Sequence, residues 1–376
     1  MIRAHDIRMY PTEEQLIQLN KTVGCCRVAW NKSLAYWNEQ YDRHCEDSSI
    51  PKPTSFAVAK WYKENRESWA TETATVCQRQ SILHLGTAFQ NYFKRPEHFK
   101  HPKFHKKGVN DSFEVPNDKA RITGKKIMLP KIGLVKLAEE LRYTGKICYY
   151  TVKKVGYTWH LVVAVEVTED VRPVCSNPTS VVGVDVGLLN TTTCSDGTVL
   201  HLPVEKLKKL DLKMRRQQRA LARSKKNSMN RLKKLAAKQK TQSKINNIRK
   251  DAVHKFTTQV TKNHGIVVVE DLNIKEMKDK AEFKAIRRAY NNSVMSMVLW
   301  CLSYKAQDLR KADRYFPSSK LCSNCGHKKE NLELSERTYT CEACGLSIDR
   351  DLNASINLMK SGMVNPVVSV ESEGTL

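Results

Sequence analysis

Four cysteines near the C-terminal end stand as two pairs, Cys322-x-x-Cys325 and, fifteen residues later, Cys341-x-x-Cys344. Two such pairs offer four soft thiolates, the set that closes a tetrahedron around Zn²⁺ at about 2.3 Å per sulfur. A glycine follows each pair, Gly326 and Gly345, where a tight knuckle needs a positive φ. A redox dithiol would need only one pair, so the spacing predicts a closed structural zinc ribbon that stabilises and binds but does not catalyse. His327, beside the first pair, is then a bystander.

Isolated acids at the ends of apolar strands are the second chemical signal. Asp185 interrupts Val181-Val182-Gly183-Val184-Asp185-Val186-Gly187, and Glu270 closes the run Ile266-Val267-Val268-Val269. An unpaired carboxylate costs several kcal/mol to bury, so both places call for a counter-charge. Asp349 and Asp351 follow the ribbon in Ile348-Asp349-Arg350-Asp351-Leu352-Asn353-Ala354. Three carboxylates converging at strand ends would form a hard-oxygen site for Mg²⁺ or Mn²⁺. Two ions about 3.5–4 Å apart could activate water and stabilise the leaving oxygen of a phosphodiester. Gly183-Val184-Asp185-Val186-Gly187 also fits the phosphate-1 loop of actin-like and sugar kinases. Those enzymes need further glycine-rich phosphate loops, whereas the following interval here holds a basic helix.

The elements that must position these residues lie in a chain of 376 residues with a formal net charge of +25. The length predicts two or three domains, and a hydrophobic share of 40% is enough for them to fold. The charge excess points to a polyanionic partner, most simply nucleic acid. It is concentrated: residues 201–250 carry 18 Lys and Arg against Glu205 and Asp211, or +16 of the total. A solvated surface helix would alternate charge sign; this block barely does. The candidates for phosphate contact, in and just beyond this block, are Lys206, Lys208, Lys209, Arg215, Arg216, Arg219, Arg223, Lys225, Lys226, Arg231, Lys233, Lys234, Arg249 and Lys255. No apolar run approaches the roughly 18 residues needed to span a bilayer, and no signal-peptide pattern opens the chain. Twelve cysteines, only four of them in Cys-x-x-Cys pairs, fit a reducing compartment better than a disulfide scaffold.

Read along its length, the chain opens with a strand, Ile2 to Tyr10, before a capping box at Thr12 and Gln15. Residues 12–95 are helical, and the basic stretch Lys94–Lys107 reads as a linker or phosphate-contacting loop. From Ser112 to Val167 the period changes to two, with strands at Arg121–Thr123, Lys126–Leu129, Ile147–Val152 and His160–Val167. A small antiparallel barrel is the economical expectation. Beyond Pro173–Pro178 come the two acid-bearing strands, a basic helical stretch over Lys206–Lys262, and a helix around Val294–Arg310. In that helix Met297, Trp300, Cys301 and Tyr304 are expected core. The ribbon, a last helix at Asn353–Met359 and a polar, disordered tail follow.

The order of these features strongly resembles the TnpB (OrfB) family of transposon-associated RNA-guided RuvC nucleases, related to type V CRISPR effectors. The resemblance runs over most of the chain. It is carried by Arg8-x-Tyr10-Pro11, Gly24-x-x-Arg27 with Asn31, Leu129-Pro130-Lys131-x-Gly133, Val184-Asp185-Val186-Gly187 and His254-Lys255. Further matches are Glu270-Asp271-Leu272-Asn273, Tyr304-Lys305-Ala306, Pro317-Ser318-Ser319-Lys320-x-Cys322 and Asp349-Arg350-Asp351-x-Asn353-Ala354. The last blocks together are highly specific.

The resemblance implies that Asp185, Glu270 and Asp351 are the catalytic acids, with Asp349 supporting them from behind. It implies a multidomain α/β plus β-barrel fold: a RuvC (ribonuclease H-like) core, an inserted zinc ribbon, a wedge-like barrel and a helical recognition domain. The expected boundaries are 1–11 and 111–172 for the barrel, 12–110 for recognition, 180–320 and 346–360 for RuvC (basic helices 203–262), 321–345 for the ribbon and 361–376 for the tail. Expected partners are a guide RNA from the transposon end and double-stranded target DNA, read beside a short target-adjacent motif, in a monomer or weak dimer. A cytoplasmic, nucleoid-associated place in a prokaryotic or phage host is also implied. Base pairing would supply sequence specificity while a basic channel holds the heteroduplex by its backbone. Two departures matter. The interval from Ala306 to Pro317 is several residues short, which predicts a truncated sheet strand, and the aspartate-glycine-tryptophan patch is absent around Asn292–Met295. The alternatives are thus a guided DNA binder or repressor that no longer cuts, and an unguided accessory DNA-binding protein of a transposon.

Overall fold

The computed structural model describes residues 1–168, 172–188, 192–226, 228–333 and 336–364. The chain divides into two compact units, Met1–Asp170 and Val171–Leu376. Among the described residues no helix is long and apolar enough to cross a membrane.

The first unit opens with β1 (Ile2–Tyr10), then α1 (Glu13–Glu46), α2 (Ser55–Asn65) and α3 (Thr75–Lys94). The capping box expected at the start of α1 is present: Thr12 N–H donates to Gln15 Oε1 at 3.0 Å, and Gln15 N–H to Thr12 Oγ1 at 3.3 Å. Six strands follow: β2 (Ser112–Pro116), β3 (Arg121–Thr123), β4 (Lys126–Leu129), β5 (Gly133–Leu137), β6 (Lys146–Val155) and β7 (Thr158–Glu166). They join β1 in one antiparallel sheet of order β2-β6-β7-β1-β5-β4-β3. Among the described residues the expected barrel is therefore not closed: β2 and the three-residue β3 are the outer strands of the ladder. Helices cover the apolar face instead. Ile7, Val115, Val135, Val152 and Leu161 share one core with Leu19, Val23 and Cys26 of α1 and Cys77 of α3.

The second unit holds β8 (Val181–Val186), β9 (Thr192–Cys194), α4 (Val204–Ala222), α5 (Met229–Asn263) and β10 (Ile266–Glu270). It continues through α6 (Ile274–Asp279), α7 (Lys284–Asn292), α8 (Met295–Lys305), β11 (Asp308–Ala312), β12 (Thr338–Thr340), β13 (Ser347–Asp349) and α9 (Arg350–Val364). The order β11-β10-β8-β9 makes a mixed sheet, parallel except for β9. Side chains alternate across it. Val182, Val184, Val186, Val267 and Val269 pack with Val253, Phe256, Val298 and Leu302 of α5 and α8. Val268 packs with Leu358 of α9.

Several expectations change here. The strand expected to be truncated is present: β11 pairs with β10 over five residues, from Ile266↔Asp308 to Glu270↔Ala312. As the outer strand of the sheet it can carry Asp308, Arg310 and Lys311, charges that suit an edge. Arg310 pairs with Asp308 at 2.9 Å, and Lys311 with Asp271 at 2.9 Å. Helix α8 accordingly stops at Lys305. Trp300, expected as core, is 62% exposed, while Cys301 is fully buried. The last helix runs on to Val364, so residues 361–364 are helical; the rest of the expected tail, 365–376, lies outside the described residues.

Candidate nuclease centre and cysteine cluster

Parity places the first two acids. Val184 of β8 is the register partner of Val269 of β10, and both face α5 and α8. Asp185 and Glu270, each one residue further on, therefore share the opposite face at the carboxyl ends of parallel strands. That is where open α/β sheets bind ligands. Helix α9 lies against this face so tightly that a Cβ on Gly183 would come within 2.0 Å of the Ser355 carbonyl oxygen and 2.5 Å of the Met359 nitrogen. Only glycine permits that approach, which lays the helix carrying Asp351 across the strand carrying Asp185.

Asp351 sits in the first turn of α9 and not at a strand end as expected. Asp349 caps this helix: its Oδ1 accepts from the N–H groups of Asp351 and Leu352, each at 3.0 Å. Arg350 donates to Asp351 Oδ1 at 3.4 Å. Burial, then the charges of Glu270 and Asp351, push the Asp185 carboxyl up to about 7; Arg350 and the Val186 backbone pull it back. Glu270 and Asp351 are thus each within electrostatic reach of Asp185. They do not converge as closely as the thiols: among the described residues only the four cysteines bring three or more ligand atoms within 4.8 Å of one another.

Cys322, Cys325, Cys341 and Cys344 form that cluster. Cys322 Sγ lies 3.6 Å from Cys344 Sγ, and Cys325 Sγ 3.6 Å from Cys341 Sγ. A tetrahedron with 2.3 Å metal–sulfur bonds has edges of about 3.8 Å, so the thiols fit zinc. The two knuckles repeat one design. Gly326 N–H donates to Cys322 O and Gly345 N–H to Cys341 O, both at 3.0 Å, with φ of 74° and 72° at the glycines. The Leu346 N–H draws the Cys344 thiol down, while against the pull of the His327 N–H desolvation and the neighbouring sulfurs push the Cys325 thiol up, as expected of four thiols sharing one small space.

The basic block forms the α4–α5 hairpin. Lys206, Lys209, Arg216, Arg219, Arg223, Lys225, Lys226 and Lys233 are exposed and make no ion pair among the described residues. Lys208, Arg215 and Lys255 are exposed but pair with Glu205, Asp211 and Asp251. Lys234 donates to Ala220 O, and Arg231 ties Leu221 O and Ser224 O, closing the end of α4. Arg249 is half-buried, and burial depresses its guanidinium. Arg231 and Arg249 thus serve the hairpin itself.

Residues 160–281 match the OrfB_IS605 family, described as "Probable transposase", and residues 296–358 match a "Cas12f1-like, TNB domain". A protein of Escherichia coli named "Putative RNA-guided DNA endonuclease InsQ" is 30% identical over 96% of this chain and 92% of its own. The chain belongs to the TnpB (OrfB/IS605) family. A second relative, "Putative RNA-guided DNA endonuclease" of Streptomyces pristinaespiralis, is 29% identical over 96% of the chain and 89% of its own. Among solved structures, Cas12f1 in its sgRNA–target DNA complex shares the fold with a TM-score of 0.53 at 14% identity, covering 96% of this chain and 98% of that one. A match to residues 1–45 is described as "Helix-turn-helix domain"; in this family member the span is β1 and the single long helix α1.

The family's motifs flagged segments whose roles only the fold reveals. Ser318, buried, donates from Oγ to Glu270 Oε1 at 2.5 Å. Lys305, 7% exposed, donates to His254 O, Thr257 Oγ1 and Thr258 Oγ1, fastening α8 to α5. Neither carries a spacing signal that chemistry alone could read.

Proposed function

We propose that the chain is a transposon-encoded, RNA-guided DNA endonuclease with one RuvC-type site. The observation that carries this reading is that Asp185 and Glu270 share one face of the sheet while the charges of Glu270 and of Asp351, on the helix laid against that face, both act on Asp185. These carboxylates would hold Mg²⁺ or Mn²⁺, and the donor set fits: a half-buried acid pushed up to about 7 by burial and like charge is short of a cation. When bound there, a divalent cation supplies Lewis acidity and a water of lowered pKa for phosphodiester hydrolysis. The chain's part is to hold the ligands: Ser318 orients Glu270, and Asp349 caps the helix that presents Asp351. The four cysteines would hold Zn²⁺. In this reading residues 1–11 and 111–172 are the wedge-like domain around a recognition insertion at 12–110, the RuvC core is 180–320 with 346–360, and 321–345 is the ribbon. The partners are a guide RNA and double-stranded target DNA in the nucleoid of a prokaryotic or phage host. The guided binder without cleavage rested on a truncated strand, and β11 pairs with β10 along all five residues of that strand.

The deciding experiment is to express the chain with its flanking genomic DNA and sequence the RNA that co-purifies. The expected result is one abundant RNA ending in a variable segment, which then directs Mg²⁺-dependent cutting of matching DNA. No discrete RNA, with duplex affinity unchanged by RNase, would replace the reading with an unguided DNA-binding role.

Salt tests the hairpin. If six of the eight exposed cations named above meet phosphates, duplex affinity should fall with a log–log slope of about −5. Lys225→Gln with Lys226→Gln should flatten that slope by about 2. A slope near zero in filter binding would remove α4 and α5 from the nucleic-acid path.

A further inference from the structure

Residues 317–323 follow β11 after a four-residue turn and enter the first cysteine knuckle, and polar contacts fasten them at Ser318, Leu321 and Ser323. At one end Ser318 Oγ donates to Glu270 Oε1 at 2.5 Å, while the Ser318 carbonyl accepts from Asn357 Nδ2 at 2.8 Å. In the middle, the Leu321 carbonyl accepts from both Asn353 Nδ2 and Asn357 Nδ2, each at 2.7 Å. At the other end, the Ser323 N–H, between Cys322 and Cys325, donates to Asn353 Oδ1 at 2.9 Å, and Lys360 donates to the Ser323 carbonyl. Asn353 and Asn357 are 0% and 5% exposed and lie one turn apart on α9, the first of them two residues past Asp351.

Buried carboxamides are costly unless their bonds are made, and a satisfied network fixes one geometry. Both asparagines spend their donors on the strap and not on α9 itself, so helix and strap fix one another. Glu270 is bound to the strap directly, and Asp351 is carried by the helix the strap holds.

We infer that residues 317–323 are a positioning strap through which the cysteine knuckle sets two of the three acids, so that cation binding by the acids depends on ribbon metal. Ser318 is the positioning residue for Glu270, and Asn353 with Asn357 link the seat of Asp351 to the knuckle. The inference rests on the reading of Asp185, Glu270 and Asp351 as cation ligands.

The test uses the purified full chain, with Mn²⁺ as the probe and free Mn²⁺ read by electron paramagnetic resonance, so no cleavage is needed. Ser318→Ala should bind Mn²⁺ about tenfold more weakly, the usual cost of removing a ligand's supporting hydrogen bond, and Ser318→Thr should restore it. Parent protein stripped of zinc by a chelator, dialysed and shown by circular dichroism to keep its helices, should weaken as much. Parent-like Mn²⁺ affinity in both Ser318→Ala and the zinc-stripped protein would overturn the inference alone. No Mn²⁺ binding by the parent beyond that of Asp185→Asn would remove the underlying reading and the strap with it.

Discussion

Asp185→Asn is expected to abolish RNA-guided DNA cleavage, by at least about 10³-fold, while leaving guided DNA binding within about twofold of the parent. A carboxylate at the centre of a cation site contributes charge that the isosteric amide cannot, and catalysis through bound metal fails when one ligand is lost. The same substitution should stabilise the metal-free protein at neutral pH. Folding raises the Asp185 carboxyl to about 7, first through burial and then through the charges of Glu270 and Asp351. A carboxyl raised on folding binds its proton more tightly in the native state, so native stability falls as pH climbs from about 4 to about 7. A rise of that size would carry about 4 kcal/mol in full; because solvent reaches Asp185, about half of that is expected. In EDTA at pH 8, Asp185→Asn should therefore unfold at a temperature several degrees above the parent, and at pH 4 the two should coincide. Mg²⁺ at pH 8 should raise the parent and leave the variant unmoved. A parent whose melting temperature ignores both pH and Mg²⁺ over this range would mean that the acids do not form one site.

Asp185 and Glu270 were legible because an acid in a run of valines has few physical excuses. Their shared face was not, since it follows only from the register in which the two strands pair, Val184 with Val269. Asp351 was legible only through its motif. Its position in the first turn of α9 depends on Asp349 acting as a cap, and a capping aspartate and a ligand aspartate look alike in sequence. Strand β11 was misread for a physical reason. Expecting a strand to be apolar suits the interior of a sheet, whereas Asp308, Arg310 and Lys311 lie at an edge where charges are satisfied by neighbours. Trp300 was misread by the opposite error, because helical spacing marks a stripe without saying which side faces the core. The barrel failed on closure, which alternation of side chains cannot reveal: the same period serves an open sheet covered by α1 and α3. Ser318, Asn353 and Asn357 were beyond reach of sequence, since each is an ordinary polar residue until the chain brings it to its partner.

Cys341→Ser should release the ribbon's zinc completely and unfold the segment from Leu321 to Ile348 while the sheet β11-β10-β8-β9 persists. The apolar core of this segment is very small. Cys322, Tyr339 and Cys341 are its buried members, with Leu332, Leu346 and Ile348 partly buried around them. Its sheet is two strands of three residues, Thr338–Thr340 and Ser347–Asp349, and an isolated two-stranded sheet is marginal at best in water. Tyr339 is fully buried and its hydroxyl donates to the carbonyls of Lys320 and His327, but one aromatic ring yields only about 3 kcal/mol. Against the ordering of nearly thirty residues that is far too little, whereas a structural zinc contributes about 10–16 kcal/mol. Metal analysis should therefore give one zinc per parent chain and none per variant. Amide exchange within the segment should accelerate by at least about 10³-fold. Exchange along β8 and β10 should change far less, because Val182, Val184, Val267 and Val269 are held by α5 and α8 without any help from the ribbon. Retained zinc in Cys341→Ser would show that Cys341 is not a needed ligand, and parent-like protection of the segment after zinc loss would show that side-chain packing and not metal holds the two knuckles together.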